Sequence, residues 1–151
     1  MKISYKGDYA LKAILDLSYK FKEKRAVSIS EISKRQNIPA QYLEQIMLVL
    51  KSAGMISSKR GVGGGFFLKK APENIVIGDV VRTVEGPLEP IACGRKRHDN
   101  SCGEEDTCVF RETWVNVTEA ISEIVDNVTF ADIMRRDREI KKKPTGYTYN
   151  I

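Results

Sequence analysis

The sequence predicts a mainly α-helical fold with one small β-hairpin, and three observations lead there. Two short amphipathic stretches, 28–36 and 39–52, are separated by a tight turn. Strand-like residues 55–59 and 66–69 enclose the run Gly61-Val62-Gly63-Gly64-Gly65. Between 109 and 128 the apolar positions hold helical phase for about five turns.

The chain starts with an amphipathic helix, because Ala10, Ala13, Ile14, Leu17 and Phe21 recur at helical spacing while Lys12, Asp16, Lys20 and Lys22 fall elsewhere on the cylinder. Ser28 followed by Glu31 is a capping box that opens the second helix. That helix ends near Gln36-Asn37, since asparagine tolerates a left-handed backbone. Pro39 suits the first turn of a third helix whose buried stripe is Leu43, Ile46, Met47 and Leu50, and Gly54 ends it. Two short helices joined this way, then a glycine-tipped hairpin, make a winged helix-turn-helix, whose second helix enters the DNA major groove. Its outward face carries Gln41, Glu44, Gln45 and Lys51. Glutamine pairs with adenine edges and glutamate accepts from cytosine, so these side chains suit base reading as well as a plain solvated face. Lys59 and Arg60 stand beside the glycine tip, where backbone can lie close against phosphate. A nucleotide phosphate loop is a poorer reading of the glycines, because no Gly-Lys-Ser/Thr and no helix follow them.

Val80, Val81 and Val84 mark a short helix within 75–85, stopped by Gly86-Pro87, that completes the core. The stripe Phe110, Trp114, Val117, Ile121, Ile124, Val125 and Val128 then needs a partner, and the same helix of a second chain supplies one. Thr129 and Asp132 form another N-cap, and residues 135–151 read as a mobile tail. The expected organisation is therefore 1–86 for DNA binding, 87–108 as a cysteine loop, 109–134 for the dimerisation helix and a short helix, and 135–151 as tail.

Composition agrees. With 151 residues the chain holds one core-forming domain and an appendage. Residues 1–70 carry 14 Lys/Arg against 5 Asp/Glu, a net of +9, whereas 71–151 carry 11 against 15, a net of −4. The first half is built for a polyanion such as double-stranded operator DNA. No apolar run reaches the ~18 residues of a membrane span and no signal-peptide core opens the chain, so the expectation is cytoplasmic. One histidine, no nucleophile motif and no paired carboxylates argue against an enzyme.

All three cysteines lie in one polar stretch, Cys93, Cys102 and Cys108, with eight and then five residues between them. In a cytoplasmic chain an odd count in one loop favours metal binding or redox chemistry over disulfides. Thiolates suit zinc or an iron-sulfur cluster, although the spacing lacks the paired knuckles of structural zinc sites. His98, inside the same loop, and Asp8 of the first helix are candidate fourth ligands. A loop histidine and an acid favoured by the helix dipole are their ordinary explanations.

The residues Lys6-Gly7-Asp8-Tyr9-Ala10-Leu11, Tyr42-Leu43-Glu44-Gln45, the wing from Arg60 to Gly65, Gly78-Asp79-Val80-Val81 and Glu85-Gly86-Pro87 resemble the IscR/NsrR group of regulators, the Rrf-two family. The resemblance spans roughly 1–134. It implies a homodimeric winged-helix transcription regulator with base-reading work on Glu44, Gln45 and Arg60. It also implies an iron-sulfur cluster, 2Fe-2S or 4Fe-4S, on Cys93, Cys102 and Cys108, sensing redox state, nitric oxide or cluster supply. In the IscR type the fourth ligand is a histidine three residues after the last cysteine, and here that position is Arg111. In NsrR-like members an acidic residue near the start of the first helix, donated by the partner subunit, takes that role, which ranks Asp8 above His98. A metal-free thiol switch or a structural zinc remains the alternative.

Overall fold

In a computed structural model of the chain, residues 3–94 and 107–142 are described. Helix α1, Tyr5–Lys20, opens on Ser4, whose hydroxyl accepts from the Lys6 N–H. The position that normally carries the reciprocal carboxylate of a capping box is Gly7, and a distant residue fills the role. Glu85 Oε1 accepts from the backbone N–H of Ser4 at 3.1 Å and of Gly7 at 2.8 Å, and from the Ser4 hydroxyl at 2.5 Å. These bonds, that of the Ser4 side chain first, hold the Glu85 carboxyl below its ordinary range. A Cβ on Gly7 would lie 2.6 Å from that oxygen, so a side chain there would displace the carboxylate.

Helix α2, Ile29–Gln36, begins with the expected box, Ser28 and Glu31 bonding each other's backbone N–H, and ends on Asn37 at φ 52°. Helix α3, Ala40–Ser52, places Pro39 at its N-cap, one residue earlier than expected, a shift within the looseness of helix ends. Its C-terminus closes with Met55 N–H donating to Leu50 O and Gly54 N–H to Lys51 O, the paired bonds of a Schellman motif. Strands β1, Ile56–Lys59, and β2, Gly65–Leu68, pair antiparallel with Ile56 opposite Leu68 and Lys59 opposite Gly65. On its other edge β2 exchanges two 2.8 Å bonds through Phe66 with Val27, just before α2. The wing is thereby tied to the start of the helix-turn-helix. Gly65, at φ +147°, makes this possible, since a Cβ there would meet Val27 O at 2.3 Å.

A short 3₁₀ turn, Pro72–Asn74, leads to α4, Ile77–Glu85. Ala10, Ala13, Ile14, Ile32, Leu43, Ile46, Met47, Leu50 and Val80 are fully buried in one core. Asp16, 95% shielded, is satisfied by a two-pronged bond from Arg35 at 2.8 and 2.7 Å and by Gln36 at 3.1 Å, which ties α1 to α2.

Helix α5, Arg111–Asp126, is the long C-terminal helix, and none of its residues is buried. Arg82 of α4 clamps it through Asp126 at 2.6 and 2.8 Å and Ser122 at 3.3 Å. Helix α6, Phe130–Lys142, starts at the expected Thr129 and Asp132 cap. Its extent corrects the sequence reading, because 135–142 continue the helix instead of forming tail. Phe130, 1% exposed, belongs to the core that the 1–86 span was expected to close alone, and Asp137 accepts from the Tyr19 hydroxyl. Those two anchors outweigh the charged composition that reads as solvated chain. Residues 143–151 lie outside the described residues.

Candidate nucleic-acid interface and metal centre

The buried stripe of α3 dictates what its opposite face presents. With Leu43, Ile46, Met47 and Leu50 turned inward, Gln41, Glu44 and Gln45 are exposed. Lys59 ends β1, Arg60 follows it, and both are exposed at the base of the tip. None of these five side chains makes an ion pair or hydrogen bond with another described residue. The tip is a turn in which Gly64 N–H donates to Gly61 O at 2.9 Å, and Val62 at its apex is fully exposed. Lys51, expected on the reading face, instead donates to Ser58 of β1 at 2.7 Å. That bond joins the last turn of α3 to the wing's first strand.

Two residues escaped the sequence reading. Leu48 is 56% exposed and Tyr42 40% exposed on the polar side of α3. Their signal was available, since both are apolar side chains out of phase with the buried stripe, and apolar groups on a reading helix suit thymine methyls. Tyr42 also packs edge-on against Tyr9 of α1, ring centres 5.7 Å apart.

Asp8 sits in the first turn of α1, half exposed, with Oδ2 2.6 Å from Lys12 Nζ. It opens on a surface hollow of about 470 Å³ shared with Ile3, Ser4 and Tyr5. Cys108 is a free thiol, half-buried, whose backbone carbonyl accepts from Arg111 N–H at the start of α5. Cys93 lies in a 3₁₀ turn, Ala92–Gly94, and Gly94 packs on the same helix, where an added Cβ would lie 2.9 Å from Thr118 Oγ1. Helix α5 thus positions the chain at both ends of the cysteine segment. Cys102 and His98 lie outside the described residues, and among the described residues no three His, Cys, Asp or Glu side chains converge as a metal site. No described helix is long and apolar enough to cross a membrane.

The comparisons with known proteins agree with this architecture. A family model, Rrf2, described as an iron-dependent transcriptional regulator, matches residues 3–136. The transcriptional regulator CymR of Bacillus subtilis is 34% identical over 133 residues, covering 88% of this chain and 89% of its own. IscR of Erwinia tasmaniensis is 31% identical over 157 residues, covering 97% and 93%. Among solved structures, T. potens IscR superposes with a TM-score of 0.74 at 36% identity over 99% of this chain and 96% of its own. The B. subtilis CymR structure, described as the global cysteine regulator, gives 0.73 at 32% identity over 90% and 98%. The chain belongs to the Rrf2 family of winged-helix transcriptional regulators.

Proposed function

We propose that the chain works as a homodimer that reads operator DNA with Gln41, Glu44 and Gln45 of α3 and with Lys59 and Arg60 of the wing, under control of an iron-sulfur cluster. The observation that carries the DNA half is the exposure of those five side chains, with no described partner, on a helix and wing bridged by Lys51 and Ser58. Glutamines and the glutamate select bases, while the two cations meet phosphate or the minor groove. The dimer is supported by α5 and its N-cap, which leave Phe110 and Ile124 each 67% exposed within one chain. A second copy of α5 covers that stripe and places two reading helices on a two-fold site.

The donor chemistry fits the cluster. Three thiols lie within 93–108, the described Cys108 is free and half-buried, and Asp8 offers a half-exposed carboxylate. Cys93, Cys102 and Cys108 would hold the group, with Asp8 as fourth ligand. Such a cluster supplies reactivity toward oxygen and nitric oxide and dependence on iron supply. For Asp8 to serve, its carboxylate leaves Lys12, so ligand binding and the first turn of α1 are coupled. An anaerobic absorption spectrum with iron and sulfide counts on the full chain, repeated on Asp8→Ala, tests this. Colour and iron in the parent, with weaker retention in the variant, are expected. A colourless, iron-free anaerobic preparation that binds its operator normally overturns cluster sensing.

A thiol switch without metal is the second reading, supported by the likeness to CymR, which is as high as that to IscR. Thiol titration before and after mild oxidant, on metal-free protein, separates it from the cluster, and zinc analysis separates structural zinc from both.

A further inference from the structure

Behind the wing lies a cavity of about 590 Å³, of whose lining only Lys59 has been given a role above. Its size falls within the ~300–1,000 Å³ of small-molecule sites. Phe21, which caps the C-terminus of α1, and Phe67 of β2 line it with apolar surface over the buried Leu17. Five cations also line it, Lys20, Lys22, Lys24, Arg25 and Lys59, and no carboxylate does. Lys20 is held by Glu23 and Arg25 by Glu31, which leaves Lys22, Lys24 and Lys59 with no ion pair among the described residues. Lys24 is also held at φ +50°, a left-handed conformation costing a side-chain-bearing residue about 1–2 kcal/mol. Lys24 stands in the turn that closes α1, its N–H donating to Phe21 O.

We propose that this cavity binds a small amphipathic anion, an acyl chain or fused ring bearing one carboxylate, phosphate or sulfonate. The apolar body lies against Phe21 and Phe67, and the acidic group meets Lys22, Lys24 and Lys59. A charged rim over an apolar lining selects for that combination: a neutral chain forfeits the charge-assisted bonds, and a simple anion forfeits the burial. The cavity also reaches the wing, because Lys59 and Gly63 are among its walls. Occupancy therefore neutralises a cation of the wing and lowers affinity for DNA. The binding itself is independent of the DNA assignment; only its effect on the operator rests on the wing's touching DNA.

Calorimetric titration of the full chain with decanoate tests the site, with decanol and acetate as controls. Decanoate is expected to bind once per chain, decanol about tenfold more weakly, and acetate not at all. Lys22→Ala/Lys24→Ala removes two exposed rim cations and is expected to weaken decanoate about tenfold while leaving decanol within about twofold. In a second arm, a fluorescein-labelled duplex from the chain's own upstream region is titrated with protein, with and without saturating decanoate. A rise in Kd of about threefold or more, absent with acetate at equal ionic strength, is the expected result. Equal binding of decanoate and decanol, or no binding of decanoate, overturns the site. Decanoate binding with unchanged duplex affinity overturns the coupling. If decanoate fails to bind and the double variant loses duplex affinity with a flatter salt dependence, the cations are a phosphate-contacting surface and the proposal falls.

Discussion

Glu85→Ala removes a carboxylate that joins the end of α4 to the start of α1, and the structure sets the size of the effect. One oxygen accepts from two backbone N–H groups and one hydroxyl at 3.1, 2.8 and 2.5 Å. A hydrogen bond to a charged group contributes about 1.5–3 kcal/mol when shielded and less at a wet surface, so the loss comes to about 2 kcal/mol. In a chain of this length that lowers Tm by about 4–8 °C at fixed protein concentration. Glu85→Gln keeps an acceptor oxygen and loses only charge, and it should cost less than half as much. The sharper test is a cycle with Gly7→Ala. Its Cβ would sit 2.6 Å from Glu85 Oε1 and 2.9 Å from Ile3 Cγ2, and Ile3, 41% exposed, can move aside. In the parent the clash displaces Glu85 and outweighs the helix preference of alanine, worth at most about 1 kcal/mol. In the Glu85→Ala background the clash is gone and Gly7→Ala becomes neutral or stabilising. Urea denaturation of the four proteins should give a coupling of about 1–2 kcal/mol. Additivity within about 0.3 kcal/mol would refute the claim that Gly7 exists to admit Glu85. The pH dependence has a fixed sign, because the carboxyl titrates below its ordinary 4.5 when folded. Its contribution is present above that value and fades as pH falls through the lower folded value, so parent and Glu85→Ala converge in acid.

Burial and the bond to Asp137 raise Tyr19 from 10.0 to about 12, so one of the six tyrosines should ionise late in a phenolate absorbance titration, and Tyr19→Phe should abolish that phase. A raised acid favours the folded state below its unfolded value, so this contribution is intact below pH 10.0 and lost as pH climbs to about 12. Gly65→Ala drives a Cβ to 2.3 Å from Val27 O and should cost about 3 kcal/mol or more, read as a lowered urea midpoint. Ile124→Glu places a charge on the exposed stripe of α5 and should yield monomer in sedimentation equilibrium; an unchanged dimer would remove α5 from the interface. Arg60→Ala should weaken operator binding and flatten the plot of log K against log salt by about one unit, and an unchanged slope would remove the arginine from phosphate.

What could be read in advance was local chemistry. The capping box of Ser28 and Glu31, the left-handed Asn37, the stripe of α3 and the glycine tip each depend on residues within a few positions, and each is where the pattern puts it. The exposed face of α3 then follows by geometry, since a stripe turned inward leaves Gln41, Glu44 and Gln45 outside. Contacts between distant residues had no such signal. Nothing near Gly7 announces that its carboxylate partner stands at 85, and nothing in 135–142 outweighs its charge until Asp137 meets Tyr19. The cysteines were conspicuous as a cluster in sequence. That α5 carries both ends of their segment depends on Gly94 packing against Thr118, which no periodicity encodes.

Those distant contacts join α1, α4 and α5 in series. Glu85 fixes the first turn of α1, one residue before Asp8, and is itself two residues before Pro87, where the expected cysteine loop begins. Leu88, 4% exposed, buries the start of that segment, and Arg82 clamps the same helix to α5. The first turn of α1 is thus tied to the end of α4, and α4 to the last turn of α5 at Asp126, by bonds of 2.6–3.1 Å. From α1 the next contact outward is Tyr9 against Tyr42, on the helix that carries Gln41 and Glu44.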